Sequence, residues 1–514
     1  MYIQIHTYGL HLLRNEITLL ESLSQPLRPL LVRSVSTLVP KMIMNISSLL
    51  AFLSFSCLLV LAPALPTRKP SSRALVAQEP STDPFYQPPA GFESTEPGTI
   101  LKNRSINAAF FGVIPDPIEA YQLLYRTTAV NGSAIATVTT IFKPWGWSKK
   151  DRYISYHTAY DSSATICDPS YVFQYGSQQW GLIASLERIL MEIYLFLGYL
   201  VVSPDYEGPD AAFPVGRLEG KAVLDGMRAV NNFASVLGFE TNDPMIVGTG
   251  YSGGAIATGW AAALQPTYAP ELNVKGWAQG GTPANLTGTL ETIDGTVFAG
   301  FGPAAVVGLS QPSTFGAQLK PLINSIVTEA GAEALEFASQ QCAVLDLLNF
   351  VGQSVQSTKF QSLGTGLLYN PIVADILEQC IIGLDPAETP HVPTFVYHAI
   401  KDEIIPYANA SSMVNRWCSN GADLQFTTYD AGGHATTLVI ALPAVVSFIE
   451  NAFAGTTGLS GCTMNTELTN SLDPLALGLD LEPLLVTLVD ALLVLGNDDE
   501  NVINDIQILQ QTIG

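Results

Sequence analysis

Residues 245–264 read MIVGTGYSGGAIATGWAAAL, and this stretch decides the fold. Residues 245–248 form an apolar strand candidate, Gly250-Tyr251-Ser252-Gly253-Gly254 is a glycine-rich turn, and 255–264 has the small apolar residues of a tightly packed helix. The turn carries the pattern G-x-S-x-G. That pattern arises by chance in long glycine-rich chains, so its context gives it weight. A strand that runs through a sharp turn into a helix holds a serine at the top of a sheet. Glycines flank the serine because the elbow is tight and neighbouring elements approach it closely. The bland alternative is a tight βα turn with an idle serine.

A serine hydroxyl is a poor nucleophile at neutral pH and needs a base, normally an imidazole oriented by a carboxylate. On sheets of this kind the chain order is serine, then acid, then histidine, the last two on loops after late strands. Three histidines follow Ser252: His391, His398 and His434. His398 lies inside a strand candidate and reads as an inward-facing core residue, and His391 precedes that strand. His434 lies in Ala431-Gly432-Gly433-His434, after a strand and before a helix, where a base belongs. The acid is expected after the preceding strand, in Lys401-Asp402-Glu403-Ile404-Ile405-Pro406. Asp402 is the first carboxylate there, Glu403 is its rival, and Asp430 is too close in sequence to His434. A tetrahedral intermediate also needs donors for its oxyanion, and the backbone N–H of Gly253, next after the nucleophile, supplies one.

Working outward, 121–130 and 134–142 are β-branched and aromatic runs joined by Asn131-Gly132, a hairpin signal. Residues 152–157, 199–203 and 274–278 read as further strands. Residues 218–237 have apolar residues at helical spacing, with Gly238 as a stop. The alternation lapses over 286–377, a Gly/Ala/Leu-rich helical segment whose only basic residues are Lys320 and Lys359. It resumes at 394–399 and 424–429, followed by a helix over 436–453. Strands alternating with helices imply an α/β fold with a mostly parallel central sheet. About ninety residues then stand inserted in it, as lids and caps often are.

The chain has 514 residues, with 45 acidic against 23 basic side chains and a net charge of −22; 47% of residues are hydrophobic. Mean hydropathy is +0.27 and the pI about 4.5. Such a chain does not remain disordered, and without basic clusters it does not suit nucleic acid. The apolar run 49–62, followed by Ala62-Pro63-Ala64, reads as the core of a secretory signal, too short for an ordinary membrane span. Met42 and Met44 precede it, so translation is expected to begin there, with 1–41 as a non-structural extension. A buried apolar segment or a signal anchor is the alternative. Secretion also fits the sequons at Asn103, Asn131, Asn285 and Asn409. Outside the signal remain Cys167, Cys342, Cys380, Cys418 and Cys462, an odd number allowing two disulfides, and no CxxC spacing points to a metal. Neither metal nor organic cofactor is expected.

GYSGGAIATGWAA around Ser252, VVSPDYEGPDAAFPVGRLEG at 201–220, HTAYDSS at 157–163, KDEIIP and AGGH together resemble the fungal secretory lipase family, over about Phe85 to Cys462. The resemblance implies an α/β-hydrolase fold with a large helical lid, and a triad of Ser252, Asp402 and His434. It implies Asp161 as the second oxyanion donor, neutral or donating through its N–H; an Asx-type turn residue is the alternative. It also implies disulfides Cys167–Cys342 and Cys418–Cys462, with Cys380 free. Asp205 and Glu207 precede the serine and read as structural hydrogen-bond partners.

The expected organisation is a non-mature region 1–64, an arm 65–98, a hydrolase core 99–285 and 378–462, a lid 286–377, and a Leu-rich extension 463–514. In that extension, 472–496 reads either as an amphipathic helix at lipid or as a helix packed on the body. The resemblance implies a secreted lipase or esterase acting on lipid or ester substrates at an oil–water interface, with no membrane span in the mature chain. Against it stand a serine peptidase or short-chain esterase of the same fold, and an inactive hydrolase fold used for adhesion.

Overall fold

In the computed structural model of the chain, residues 77–178, 181–430 and 432–468 are described. The apolar run 49–62 and the Leu-rich segment 472–496 lie outside them. The strands in chain order are β1 (Ile100–Ile106), β2 (Ala109–Phe110), β3 (Ile114–Pro115), β4 (Glu119–Thr128), β5 (Ala134–Lys143) and β6 (Arg152–His157). Then follow β7 (Leu200–Pro204), β8 (Met245–Tyr251), β9 (Val274–Gly280), β10 (Thr394–Ala399), β11 (Leu424–Tyr429) and β12 (Cys462–Glu467). All but the β2–β3 hairpin join one sheet of order β1-β4-β5-β7-β6-β8-β9-β10-β11-β12.

From β7 to β12 neighbouring strands are parallel, whereas β1, β4, β5 and β7 pair antiparallel. Parallel strands carry helices on both faces, so their side chains are buried on both sides rather than alternating. The central strands obey this: β7 and β10 are buried at every residue, and β6 and β8 at all but the first.

Helix Gly216–Asn232 packs on helix Gly253–Tyr268 where Gly220 leaves room for Trp260; a Cβ there would lie 2.7 Å from the Trp260 carbonyl carbon. Ser252, Asp402 and His434 all lie beyond the C-terminal ends of parallel strands, where ligand sites of open α/β sheets form.

Between β9 and β10 lie helices Leu286–Ile293, Phe301–Leu309, Gly316–Ile326, Glu329–Ala338, Ala343–Phe350 and Pro371–Gln379, with a short 3-10 turn at Gly364–Tyr369. Leu286, Leu309, Phe315, Leu319, Leu368, Ile376 and Leu377 close a buried cluster with Ala212, Val215 and Leu218. The Cys167–Cys342 disulfide ties this segment to the loop after β6, Cys418–Cys462 bridges to the start of β12, and Cys380 is free and buried.

The structure differs from the expected elements at several points, among them the helix expected over 218–237, which is broken at Phe233 into Gly216–Asn232 and Ala234–Leu237. The helix expected over 436–453 is two, His434–Ile440 and Leu442–Ala454, bent by 48° at a break followed by Pro443. The sheet continues through β12 to Glu467, past the expected core boundary at 462. The arm is anchored, because Phe85 packs on Leu124, Ala136 and Val138. Among the described residues no single helix is long and apolar enough to cross a membrane.

Candidate active site

Ser252 stands directly after β8 with φ +54° and ψ −124°, a strained conformation that turns the strand into helix Gly253–Tyr268. Its N–H donates to Gly280 O at 3.0 Å. The glycines on either side are required sterically. A Cβ at Gly254 would collide with His157 O, one at Gly250 with Gly254 O, and one at Gly253 with the Asp161 carboxyl. The elbow therefore presents the serine side chain while the backbone around it is packed without clearance.

His434 begins the helix after β11, and its Nε2 lies 2.8 Å from Ser252 Oγ. Its Nδ1 lies 2.7 Å from Asp402 Oδ2. A carboxylate only accepts, so Nδ1 carries the proton and Nε2 of the neutral ring accepts from the serine hydroxyl. The other Asp402 oxygen accepts the N–H groups of Ile404 and Ile405, at 3.0 and 2.7 Å. Burial alone would raise this carboxyl, but the adjoining His434 ring with its hydrogen bond, the nearby His398 ring and the Ile405 N–H hold it below the usual carboxylate range. Asp402 is thus an ionised, fully enclosed acceptor.

Asp161 lies on the loop after β6, at φ +47°. Its carboxyl rests against Gly253, and Oδ1 finds no partner among the described residues. Burial pushes this group up to about 7, with the nearby His434 imidazole pulling the other way. A neutral carboxyl can donate where an oxyanion forms, which an ionised one cannot.

Asp161, Ser252 and Gly253 line one part of a cavity of about 200 Å³. The rest of its wall is almost wholly apolar and comes largely from the helical segment between β9 and β10: Val306, Leu335, Phe360 and Leu368 are examples. The chemistry available is nucleophilic attack on a carbonyl whose apolar substituent lies in that cavity.

The remaining residues singled out in the sequence fall as follows. His398 is fully buried, donates from Nε2 to Ile405 O at 3.0 Å and stands 3.4 Å from Asp402 Oδ2, while burial lowers its pKa; His391 is exposed. Glu403 is not the acid next to the ring, because it accepts the His434 backbone N–H at 3.0 Å. Asp205 accepts from Ser170 N and Oγ at 2.8 and 2.5 Å, as a structural partner should. Glu207 does not behave that way: both its carboxyl oxygens are buried and find no hydrogen-bond partner among the described residues, and burial with neighbouring acids raises it. Asn103 and Asn131 are exposed, whereas Asn285 caps helix Leu286–Ile293. Asn409 Nδ2, the atom a glycan would occupy, is enclosed against Gly288.

Sequence reasoning passed over Tyr251, whose hydroxyl donates to His434 O at 2.7 Å, and His157, which bonds Thr258 Oγ1 at 2.7 Å beneath the elbow. Both contacts join residues far apart in the chain, so no local spacing announces them.

A parallel sheet with a serine elbow after its central strand, and with histidine and acid on later strand-end loops, defines the class: an α/β-hydrolase of the serine type. A profile of the secretory lipase family matches residues 173–461. A secreted triacylglycerol lipase of Malassezia furfur is 40% identical over 408 residues, covering 79% of this chain and 82% of the relative. A second, from Malassezia restricta, is 38% identical, covering 79% and 86%. The chain belongs to the secretory lipase family. Among solved structures, Candida antarctica lipase A in its closed state superposes with a TM-score of 0.73 at 32% identity, covering 80% of this chain and 96% of that one. An esterase from Xanthomonas oryzae that degrades rice cell wall shares the fold, with a TM-score of 0.51 at 16% identity over 70% of this chain and 100% of that one.

Proposed function

We propose that this protein is a secreted triacylglycerol lipase in which Ser252 is the nucleophile, His434 the general base and acid, and Asp402 the residue that orients the imidazole. The single observation carrying this reading is the continuous hydrogen-bonded line from Ser252 Oγ through the His434 ring to Asp402 Oδ2, opening on an apolar cavity. Ser252 Oγ attacks the ester carbonyl as His434 Nε2 takes its proton. The tetrahedral oxyanion is met by the Gly253 N–H and by neutral Asp161. Collapse of the intermediate expels the glyceride alkoxide, which leaves with the proton from His434. Water, deprotonated by the same imidazole, then releases the fatty acid and restores the serine.

Helices between residues 286 and 379 are proposed as the cover of the acyl chain, since they supply most of the cavity wall. Export through the signal at 49–64 and glycosylation at Asn103 and Asn131 complete the proposal. Triacylglycerol as substrate is supported by the names of the Malassezia relatives. The test is release of fatty acid from tributyrin and triolein emulsions, and of amines from peptides, by wild type and Ser252→Ala. Hydrolysis of glycerides alone, lost in the variant, is expected. Peptide cleavage, or full activity of the variant, overturns the proposal.

A further inference from the structure

His434 is held by its backbone as well as by its ring. As the first residue of its helix, its N–H is among those that no helical carbonyl can satisfy. The preceding residue, Gly433, has no side chain to cap it. Instead Glu403 Oε2, from a loop 31 residues earlier, accepts this N–H at 3.0 Å. On the other side of the same residue the Tyr251 hydroxyl donates to His434 O at 2.7 Å.

Each of the two adjoins a different member of the triad in the chain. Tyr251 immediately precedes Ser252, and Glu403 immediately follows Asp402. The Tyr251 ring also lies against the imidazole, centroids 4.9 Å apart at 46°, and is itself stacked on Tyr397 at 5.7 Å. Gly281, at φ +54°, preserves the space: a Cβ there would lie 2.8 Å from His434 Cε1 and 2.9 Å from Tyr251 Cζ. The histidine is thereby linked by backbone hydrogen bonds to the neighbours of both its partners. A side-chain acceptor at the first turn of the helix satisfies an N–H that the helix itself leaves open.

We infer that Tyr251 and Glu403 are positioning residues that clamp the His434 backbone, so that Nε2 stays on Ser252 Oγ while Nδ1 stays on Asp402. The inference rests on the proposed triad. Neither Tyr251 nor Glu403 is among the residues lining the apolar cavity, so the clamp is expected to act on turnover rather than on binding.

The experiment measures kcat and KM for p-nitrophenyl butyrate, per active site titrated with a phosphonate ester, in Tyr251→Phe, Glu403→Ala, Glu403→Gln and His434→Ala. Losing a charge-assisted or buried hydrogen bond to a reacting group is worth about tenfold or more in rate. Tyr251→Phe and Glu403→Ala are therefore expected to lower kcat about tenfold with KM within about twofold of wild type. Glu403→Gln, whose amide oxygen can still accept, is expected to recover most of the loss. Tyr251→Phe changes no shape and decides the matter if Glu403→Ala does not fold. Full kcat per titrated site in Tyr251→Phe overturns the clamp, and so does a loss confined to KM. His434→Ala separates the two readings: if it keeps wild-type activity the triad itself is wrong, whereas an inactive His434→Ala beside a fully active Tyr251→Phe removes only the clamp.

Discussion

Asp161 Oδ1 fills the space in which a side chain at Gly253 would begin. The residue after the proposed nucleophile is therefore held to glycine by a carboxyl, and the two groups proposed to meet the oxyanion are in contact before substrate arrives. Gly253→Ala is expected to displace Asp161 and lower kcat on the order of a hundredfold, the cost of losing one oxyanion donor. Circular dichroism should show a native fold. Near-wild-type turnover in a folded variant would separate Asp161 from the reaction.

Burial pushes Asp161 up to about 7, so its neutral form gives way to the charged form as pH rises through about that value. If the neutral carboxyl donates to the oxyanion, kcat/KM falls as pH rises through about 7. Asp161→Asn keeps a donor that does not titrate. Its profile between pH 6 and 9 is expected to lose that alkaline fall, and an unchanged limb would count against the donor role.

Asp346, enclosed within helix Ala343–Phe350 with neither carboxyl oxygen partnered among the described residues, is raised by burial to about 8 from an unfolded value of 3.8. Between those values the folded state holds a proton the unfolded state has released. Stability from this group is then fully present below the unfolded value and is lost as pH rises through the folded one. Thermal melts should show Tm decreasing from pH 5 to 8.5, with a shallower slope in Asp346→Asn. Equal slopes would show that Asp346 does not titrate on unfolding.

Residues of the inserted helices line the cavity, Ala334 among them. Filling it there with Ala334→Trp should suppress hydrolysis of long-chain p-nitrophenyl esters while sparing the butyrate. Equal losses at every chain length would mean the acyl group lies elsewhere.

How much of this was legible in the sequence depended on whether the signal was local. Strand, elbow and helix around Ser252 are contiguous, so periodicity and glycine spacing revealed them together. β10 and β11 are apolar runs, and the expected bounds 394–399 and 424–429 are those observed. Chain order then put Asp402 and His434 at strand ends, where the structure joins their side chains.

What stayed hidden was non-local or weakly patterned. β12 is exposed at all six residues and offers no apolar alternation to read. Helix Leu182–Phe196, buried on most of its surface, has no clean polar face to mark it. The bonds of Tyr251 and Glu403 to His434 cross 183 and 31 residues, and only tertiary structure creates them. Glu403 drew notice as a rival acid for the same underlying reason it matters: it lies one residue from Asp402.

The proposed nucleophile can be tested by covalent capture. Treatment with a fluorophosphonate ester, followed by peptide mass mapping, is expected to give one adduct, on Ser252, with ester hydrolysis lost in proportion to labelling. An adduct on another residue, or full hydrolysis with Ser252 fully labelled, would contradict the assignment of the triad.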